Sequence, residues 1–431
     1  MEHEMDSWQS KKLNIIEYTF ILLTIIQNNS VYYIYGNNAQ IINCFWLILL
    51  SILTFRSIIR IYKKRVNVLP LVKLLILFTL LQSSMLMIEF IFNPFFDKVH
   101  YIIVFFVAPL MLLIYFFYQF FLMGDYVHFF LKFRNIVIII AVMSLFFWIL
   151  SLLGVPTNSS TIVNWGVNSN INGYWNLHYI AQGNISFLGF SLIRNTGIFV
   201  EAPMFSYVLC VALQIELFIN PKLNKINCLI LLVTIFSTTS TGGMIVSLIS
   251  LFYYIVLSKK VGIDYFRALI CILAFLAVII VIYYLLTNKY NSDWSSSYNI
   301  RMDDYKAGIE SWKQHIIFGN GIGNYDSIAK FMNPQRLYAS QYIHGITGFS
   351  NGITMVLAYG GIALLMFYLL PTIFGIKCCK RVAGLSIFSF LLFCIMIVAT
   401  SYIYIELISY LYICNLYKYH FCGQRSFGSG G

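Results

Sequence analysis

The chain has 431 residues, 60% of them hydrophobic and 10% charged, with a mean hydropathy of +0.79, whereas a soluble chain is about half apolar and a quarter charged. About 259 apolar residues, at about 20 per helix, supply roughly a dozen membrane spans and exclude a large soluble domain. The net charge of +12, from 28 basic and 16 acidic residues, reads as membrane topology and not as a nucleic-acid surface.

Acidic and basic residues precede the first apolar run at Ile15 and no small-residue cleavage site follows it, so the run reads as a retained span. Apolar runs then fall near 14–35, 41–59, 69–91, 101–123, 135–153, 203–219, 226–238, 243–257, 265–286, 351–375, 383–401 and 402–417. Runs as continuous as Ile136–Leu153 exclude an alternating β-barrel pattern. The expected fold is an all-α integral membrane protein with about 11–12 transmembrane helices and two long outer loops. Its parts are N-terminal helices over 1–153, a first outer loop over 154–202, central helices over 203–286, a second outer loop over 287–350 and C-terminal helices over 351–417. Residues 418–431 form a tail whose end, Phe427-Gly428-Ser429-Gly430-Gly431, reads as an expression scar.

Basic residues crowd alternate short loops: Arg60, Lys63, Lys64 and Arg65; Lys132 and Arg134; Lys222 and Lys225; Lys259, Lys260 and Arg267; Lys377, Lys380 and Arg381. By the positive-inside rule these loops and both termini are cytoplasmic, and the two long polar segments lie outside. Glu17 and Glu216 fall near predicted cytoplasmic helix ends, within reach of the interface, and only Glu406 is a candidate midplane acid. That pattern gives little support to an ion-coupled transporter. None of the nine cysteines lies in a long polar loop, so no disulfide framework is expected.

The first loop mixes aromatics and amides, with Trp165, Tyr174 and Trp175 among Asn164, Asn172 and Asn176. Aromatic faces stack on sugar rings while amides donate and accept hydrogen bonds, so these residues suit a glycan, although an interfacial aromatic belt has the same composition. The loop ends with Arg194 and Glu201 just before Pro203, which can start a helix. An arginine there can clamp a phosphate, pair with the glutamate or anchor a lipid headgroup.

In the second loop Arg301 precedes Asp303-Asp304, read as a helix start. Tyr305, Ile309, Trp312 and Ile316 recur at helical spacing, predicting an amphipathic helix whose apolar face lies on the membrane or the bundle. The series Phe318-Gly319-Asn320-Gly321-Ile322-Gly323-Asn324-Tyr325 reads as a Gly-rich helix stop, because no phosphate-loop motif accompanies it. Lys330, Arg336, His344 and Asn351 follow. No HExxH, paired CxxC or Walker motif is present, and adjacent acids at a helix start serve the macrodipole, so neither a metal nor another cofactor is expected.

The order of these features resembles the O-antigen polymerase and O-antigen ligase superfamily of multi-pass enzymes. The matching pieces are Arg194…Gly197…Phe199…Glu201-Ala202-Pro203, the helix break Ser237–Gly243, Arg301…Ser311-Trp312…His315-Ile316-Ile317-Phe318-Gly319-Asn320-Gly321-Ile322-Gly323-Asn324-Tyr325, and Ser350-Asn351…Leu357…Gly360-Gly361. Family members often carry a histidine before that asparagine; here Ser350 stands there and the nearest histidine is His344.

The resemblance implies a GT-C-like glycosyltransferase in the bacterial cytoplasmic (inner) membrane that works without nucleotide or metal. A hydroxyl of an acceptor sugar would attack the anomeric carbon of a sugar held on undecaprenyl or another polyprenyl pyrophosphate. Arg194, Arg301 and Arg336 are the candidate pyrophosphate ligands, His344 or Glu201 the candidate base, and Trp165, Tyr174, Trp175 and Asn351 the candidate glycan contacts. The expected function is polymerisation of repeat units into an O-antigen or capsule-like polysaccharide of the cell envelope. Alternatives are a ligase that transfers a finished glycan to a lipid A core or protein, and a polysaccharide flippase or other transporter. Expected partners are the lipid-linked donor and acceptor, membrane lipids, a chain-length regulator and a flippase, with no nucleic acid.

Overall fold

A computed structural model describes residues 2–93, 98–123, 127–165, 167–187, 190–258, 297–343, 349–378, 380–396 and 401–416. The expected span 265–286, His344 and the tail 418–431 lie outside the described residues. Among those described, six helices are long and apolar enough to cross a membrane: Asn38–Lys63, Leu69–Ile91, Ile102–Phe121, His128–Leu152, Ala202–Ile219 and Gly352–Cys378. Five shorter apolar helices accompany them, at Asn14–Ile26, Lys225–Ser237, Thr241–Ile255, Val382–Ile395 and Tyr402–Cys414. The protein is an all-α polytopic membrane protein.

Local sequence sets the helix ends. Proline in the first turn starts both Leu69–Phe92 and Ala202–Gln214, where its missing N–H has no partner to lose, and Arg60 and Lys63 in the last turn of Asn38–Lys63 meet its negative end. Ala202–Ile219 is predominantly apolar and almost wholly enclosed, the mark of a helix at the centre of a bundle.

Glu17 and Glu216 are buried in the bundle and paired with residues of an expected cytoplasmic loop. Glu17 meets Lys132, and Glu216 Oε2 lies 2.5 Å from Arg134 Nη1. Both basic partners sit on His128–Leu152, so two charge pairs tie that helix to its neighbours. Burial without a cation would leave each carboxylate uncompensated, which explains why the acids turn inward. Glu406, also buried, accepts a hydrogen bond from Thr24 Oγ1 at 2.8 Å, and Trp46 Nε1 donates to the same hydroxyl.

The helix Gly352–Cys378 is broken at Gly361, whose φ of 60° is left-handed. The Gly-rich series fills the break. Asn320 N–H donates to Ala358 O at 2.8 Å and Gly321 N–H to Tyr359 O at 2.9 Å, while Ile362 and Ala363 N–H return bonds to Ile316 O and Ile317 O. Backbone meets backbone so closely that a Cβ on Gly361 would stand 2.4 Å from Ile317 C, and one on Gly319 2.4 Å from Tyr359 C. The glycines stop the loop helix and let it dock: Gly319 N–H closes the turn on His315 O at 2.8 Å, while the Asn320 and Gly321 amides go to the broken span.

The first long loop is more ordered than its composition suggested. Strands β1 (Ser159–Trp165), β2 (Val167–Tyr174) and β3 (His178–Ile180) form an antiparallel sheet, and β4 (Asn184–Phe187) pairs with β5 (Phe190–Ile193) in a hairpin. Val163, Ile171, Tyr179 and Val200 bury a small apolar core with Val31 from the chain after the first helix.

The second loop carries the helix Ser297–Gln314, which packs along Gly352–Cys378 and begins before Asp303-Asp304, not at them. Against the bundle it turns a face of small and polar residues. Asp304, Ala307, Gly308 and Ser311 are enclosed, whereas Ile309 and Ile316 are 38% and 50% exposed. Small residues permit the close approach, since a Cβ on Gly308 would lie 2.7 Å from Thr354 Cβ.

Candidate functional site

Where β5 ends, Trp148 Nε1 donates to Ile193 O at 2.7 Å and turns the chain toward the helix break at 238–240. Asn195 then locks it. Its N–H donates to Ser237 O at 3.1 Å, its Nδ2 to Ser237 Oγ at 2.9 Å, and its Oδ1 accepts from Gly197 N–H at 3.1 Å. Gly197 has φ +57° and lies beneath the Phe205 ring, 2.9 Å from where a Cβ would be, so the turn needs glycine.

Arg194 is thereby aimed at the break. Its Nε donates to Thr238 O at 3.2 Å and to Thr239 Oγ1 at 3.1 Å, leaving the two terminal nitrogens of the guanidinium without a hydrogen-bond partner among the described residues. Arg301 arrives at the same place from the second loop: a side chain on Gly242 would start 3.6 Å from its Nη1. Among the described residues Arg301 forms no ion pair or hydrogen bond.

Glu201 completes the group. It precedes Ala202–Gln214 in extended conformation, and Trp165 Nε1 donates to its Oε1 at 2.6 Å. Burial pushes the Arg194 guanidinium down to about 10, a shift that Glu201 opposes and Arg301 reinforces. Burial likewise lowers Arg301, against the opposing fields of Tyr305, Asp304 and Glu201. Two cations held together without a carboxylate clamp are costly in the empty site and are relieved by a bound anion. Guanidinium forks match phosphate oxygens bidentately, so a pyrophosphate is the chemical complement of this pair.

Arg336 occupies a different setting. Its Nη1 lies 2.7 Å from Asp304 Oδ1 and 3.1 Å from Asp303 Oδ2, with only 4% of its side chain exposed. Asp304 Oδ2 in turn accepts from Ser350 N–H at 2.9 Å. This network fastens the helix carrying Arg301 to the start of Gly352–Cys378. Burial raises the Asp304 carboxyl pKa, opposed by Arg336 and by the Ser350 hydrogen bond.

The four sequence-predicted glycan contacts divide by environment. Trp165 faces Glu201. Tyr174 is 1% exposed, stacked on Phe147 at 5.6 Å with its hydroxyl donating to Val155 O, so neither ring face is open to a sugar. Trp175 is 62% exposed. Asn351 is buried, its Oδ1 accepting from Thr354 N–H and Oγ1 at the start of Gly352–Cys378 while its Nδ2 has no partner among the described residues. His344, the other candidate base, lies outside the described residues.

Sequence reasoning passed over Asn195, Thr238 and Thr239, which hold and aim Arg194. The one available signal was a buried-capable amide directly after the arginine, opposite a Ser/Thr-rich break.

Among known proteins, a family model described as O-antigen ligase matches residues 226–369, about a third of the 431 residues, taking in the helix break, Arg301, Asp304, Arg336 and the Gly319–Gly361 junction. No curated protein matches the chain. Over residues 226–369 this polytopic helical membrane protein is thus similar to the O-antigen ligase family.

Proposed function

We propose that the protein polymerises repeat units carried on polyprenyl pyrophosphate into an O-antigen or capsule-like polysaccharide, at the outer face of the bacterial cytoplasmic membrane. The observation that carries this reading is the convergence of Arg194 and Arg301, from separate loops, on the 238–242 turn with neither engaged in an ion pair among the described residues. Both basic-loop alternation and the length of the two loops support the outer placement.

In the reaction, an acceptor hydroxyl attacks the anomeric carbon of the donor sugar, a new C–O bond forms, and the bond to the pyrophosphate oxygen breaks. Negative charge grows on the departing pyrophosphate, where Arg194 and Arg301 stabilise it more in the transition state than in the ground state. The acceptor proton passes to Glu201, whose Oε1 is held by Trp165 and whose Oε2 has no hydrogen-bond partner among the described residues, or to His344. Arg336 acts through position, holding Asp304 and hence the Arg301 helix.

The test uses purified protein in liposomes with polyprenyl-pyrophosphate-linked repeat units, products being sized on a gel. A regular ladder that Arg194→Ala and Arg301→Ala abolish is expected. No lengthened product from a competent donor overturns the polymerase reading. The family description as a ligase gives the second reading its support, and transfer seen only after adding a lipid A core acceptor selects it. Translocation without chemistry would instead identify a transporter.

A further inference from the structure

A cavity adjoins the segment that carries Arg194 and Glu201, through the bonds of Tyr179 to Thr196 and Gly197. It measures about 650 Å³, within the usual size range of ligand sites, and opens between β1–β3 and the chain after the first helix. Tyr35 and the half-buried Tyr32 supply aromatic surface, the buried Tyr179 backs it, and Asn38, Asn170 and Asn176 supply amides. The Tyr32 and Tyr179 rings stand edge to face at 6.0 Å, while Tyr35 is 51% exposed.

The amides are available. Asn38 uses Nδ2 to donate to Tyr32 O, leaving its carbonyl oxygen, and the side chains of Asn170 and Asn176 have no partner among the described residues. No carboxylate or basic side chain lines the cavity. The lining therefore suits a neutral ligand with many hydroxyl or acetamido groups and apolar ring faces, which describes a saccharide.

The rim is built under strain. Trp175 and Asn176 form the centre of the β2–β3 turn with φ of 48° and 56°, both left-handed, and Leu177 N–H closes it on Tyr174 O at 2.9 Å. Such a turn ordinarily takes Asn-Gly. Here Trp175 N–H is held by Asn158 Oδ1 at 2.8 Å, Asn176 N–H by Ser159 Oγ at 3.2 Å, and Asn176 O by the Tyr32 hydroxyl. Three bonds enforce a conformation that the residues themselves disfavour, and the result presents the Asn176 amide at the cavity.

Coupling to the arginine site is short. Tyr179 N–H donates to Gly197 O at 2.8 Å and Thr196 Oγ1 to Tyr179 O at 2.6 Å, two and three residues beyond Arg194. We infer that this cavity is a glycan subsite, which holds sugars of the acceptor chain away from the reacting bond and is linked to the pyrophosphate site through the segment 194–201. The inference rests on the polymerase reading for the word acceptor; the saccharide class rests on the cavity alone.

The test is saturation-transfer NMR on the full chain in nanodiscs, with lipid-free oligosaccharides released by mild acid from the source cell's own surface polysaccharide. Wild type and Arg194→Ala are expected to bind alike, and Asn170→Ala with Asn176→Ala, or Tyr35→Ala alone, to bind at least tenfold more weakly. In the ladder assay these cavity variants are expected to raise the acceptor KM and leave kcat near wild type. Undiminished binding in the well-folded cavity variants overturns the assignment, as does loss of binding in Arg194→Ala, which would put the glycan at the arginines. Oligosaccharide binding that depends on the cavity, in a protein that makes no polymer, would keep the subsite and reject the polymerase.

Discussion

Asp304 and Arg336 meet at 2.7 Å with side chains 0% and 4% exposed, and this pair joins the helix that bears Arg301 to the segment that opens the broken span. A buried pair is a poor source of net stability but a costly one to halve, because the remaining charge has no solvent to return to.

Arg336→Met is therefore expected to destabilise the protein by about 3–5 kcal/mol, whereas Arg336→Met combined with Asp304→Leu recovers part of that loss. Asp303, which also contacts Arg336 at 3.1 Å, limits the recovery. Thermal unfolding in detergent, followed by intrinsic fluorescence, reads both variants. A double variant destabilised by the sum of the losses in Arg336→Met and Asp304→Leu would show that the two side chains act independently.

Arg301 should behave in the opposite way. It carries a desolvated charge with no ion-pair partner among the described residues and lies in the field of Arg194. Arg301→Gln is expected to leave the unfolding temperature unchanged or raise it, while lowering the transfer rate by about 10²–10³, the usual effect of removing one preorganised charge-stabilising group. Parallel unfolding and ladder assays check the split. A large fall in stability would mean that Arg301 is a structural residue.

The span positions were legible because apolar runs of about 20 residues need no tertiary information. Arg194, Arg301 and Glu201 were legible as charges placed against the grain of a membrane protein. The buried face of Ser297–Gln314 was not. Periodicity picks out Tyr305, Ile309, Trp312 and Ile316 as the apolar face but carries no sign that Asp304 and Ser311 are buried, which depends on Arg336 and Asn320 to satisfy them. The sheet in the first loop was hidden for a related reason: β1 and β2 are rich in Asn, Ser and Gly, and the apolar contacts that fix their register come from Val31 and Val200.

The Gly319–Gly361 junction predicts a sharp contrast between glycines. Gly361→Ala combines a left-handed φ with a Cβ 2.4 Å from the Ile317 backbone, and neither can relax without opening the break. Loss of stability well above the roughly 1 kcal/mol of an ordinary glycine replacement is expected. Gly183→Ala meets nothing within 4 Å and should be neutral. Expression level and unfolding temperature of the two variants report the difference, and similar behaviour would remove the junction from the list of tight contacts.

His178 gives the fold a pH dependence. The ring is 1% exposed on β3, stacked against Phe147 at 6.0 Å, and its Nδ1 has no partner among the described residues. Burial pushes its pKa down to about 4 from an ordinary 6.5. Between those values the unfolded chain binds the proton and the folded chain does not, so stability rises with pH across the window and falls as the solution is acidified. From pH 7 to pH 5 the loss from this residue is about 2 kcal/mol. In His178→Phe, which keeps an aromatic ring against Phe147 and cannot titrate, the unfolding temperature should drop less over the same interval. Parallel pH curves for the two proteins would show that the imidazole is already solvated or paired in the folded state.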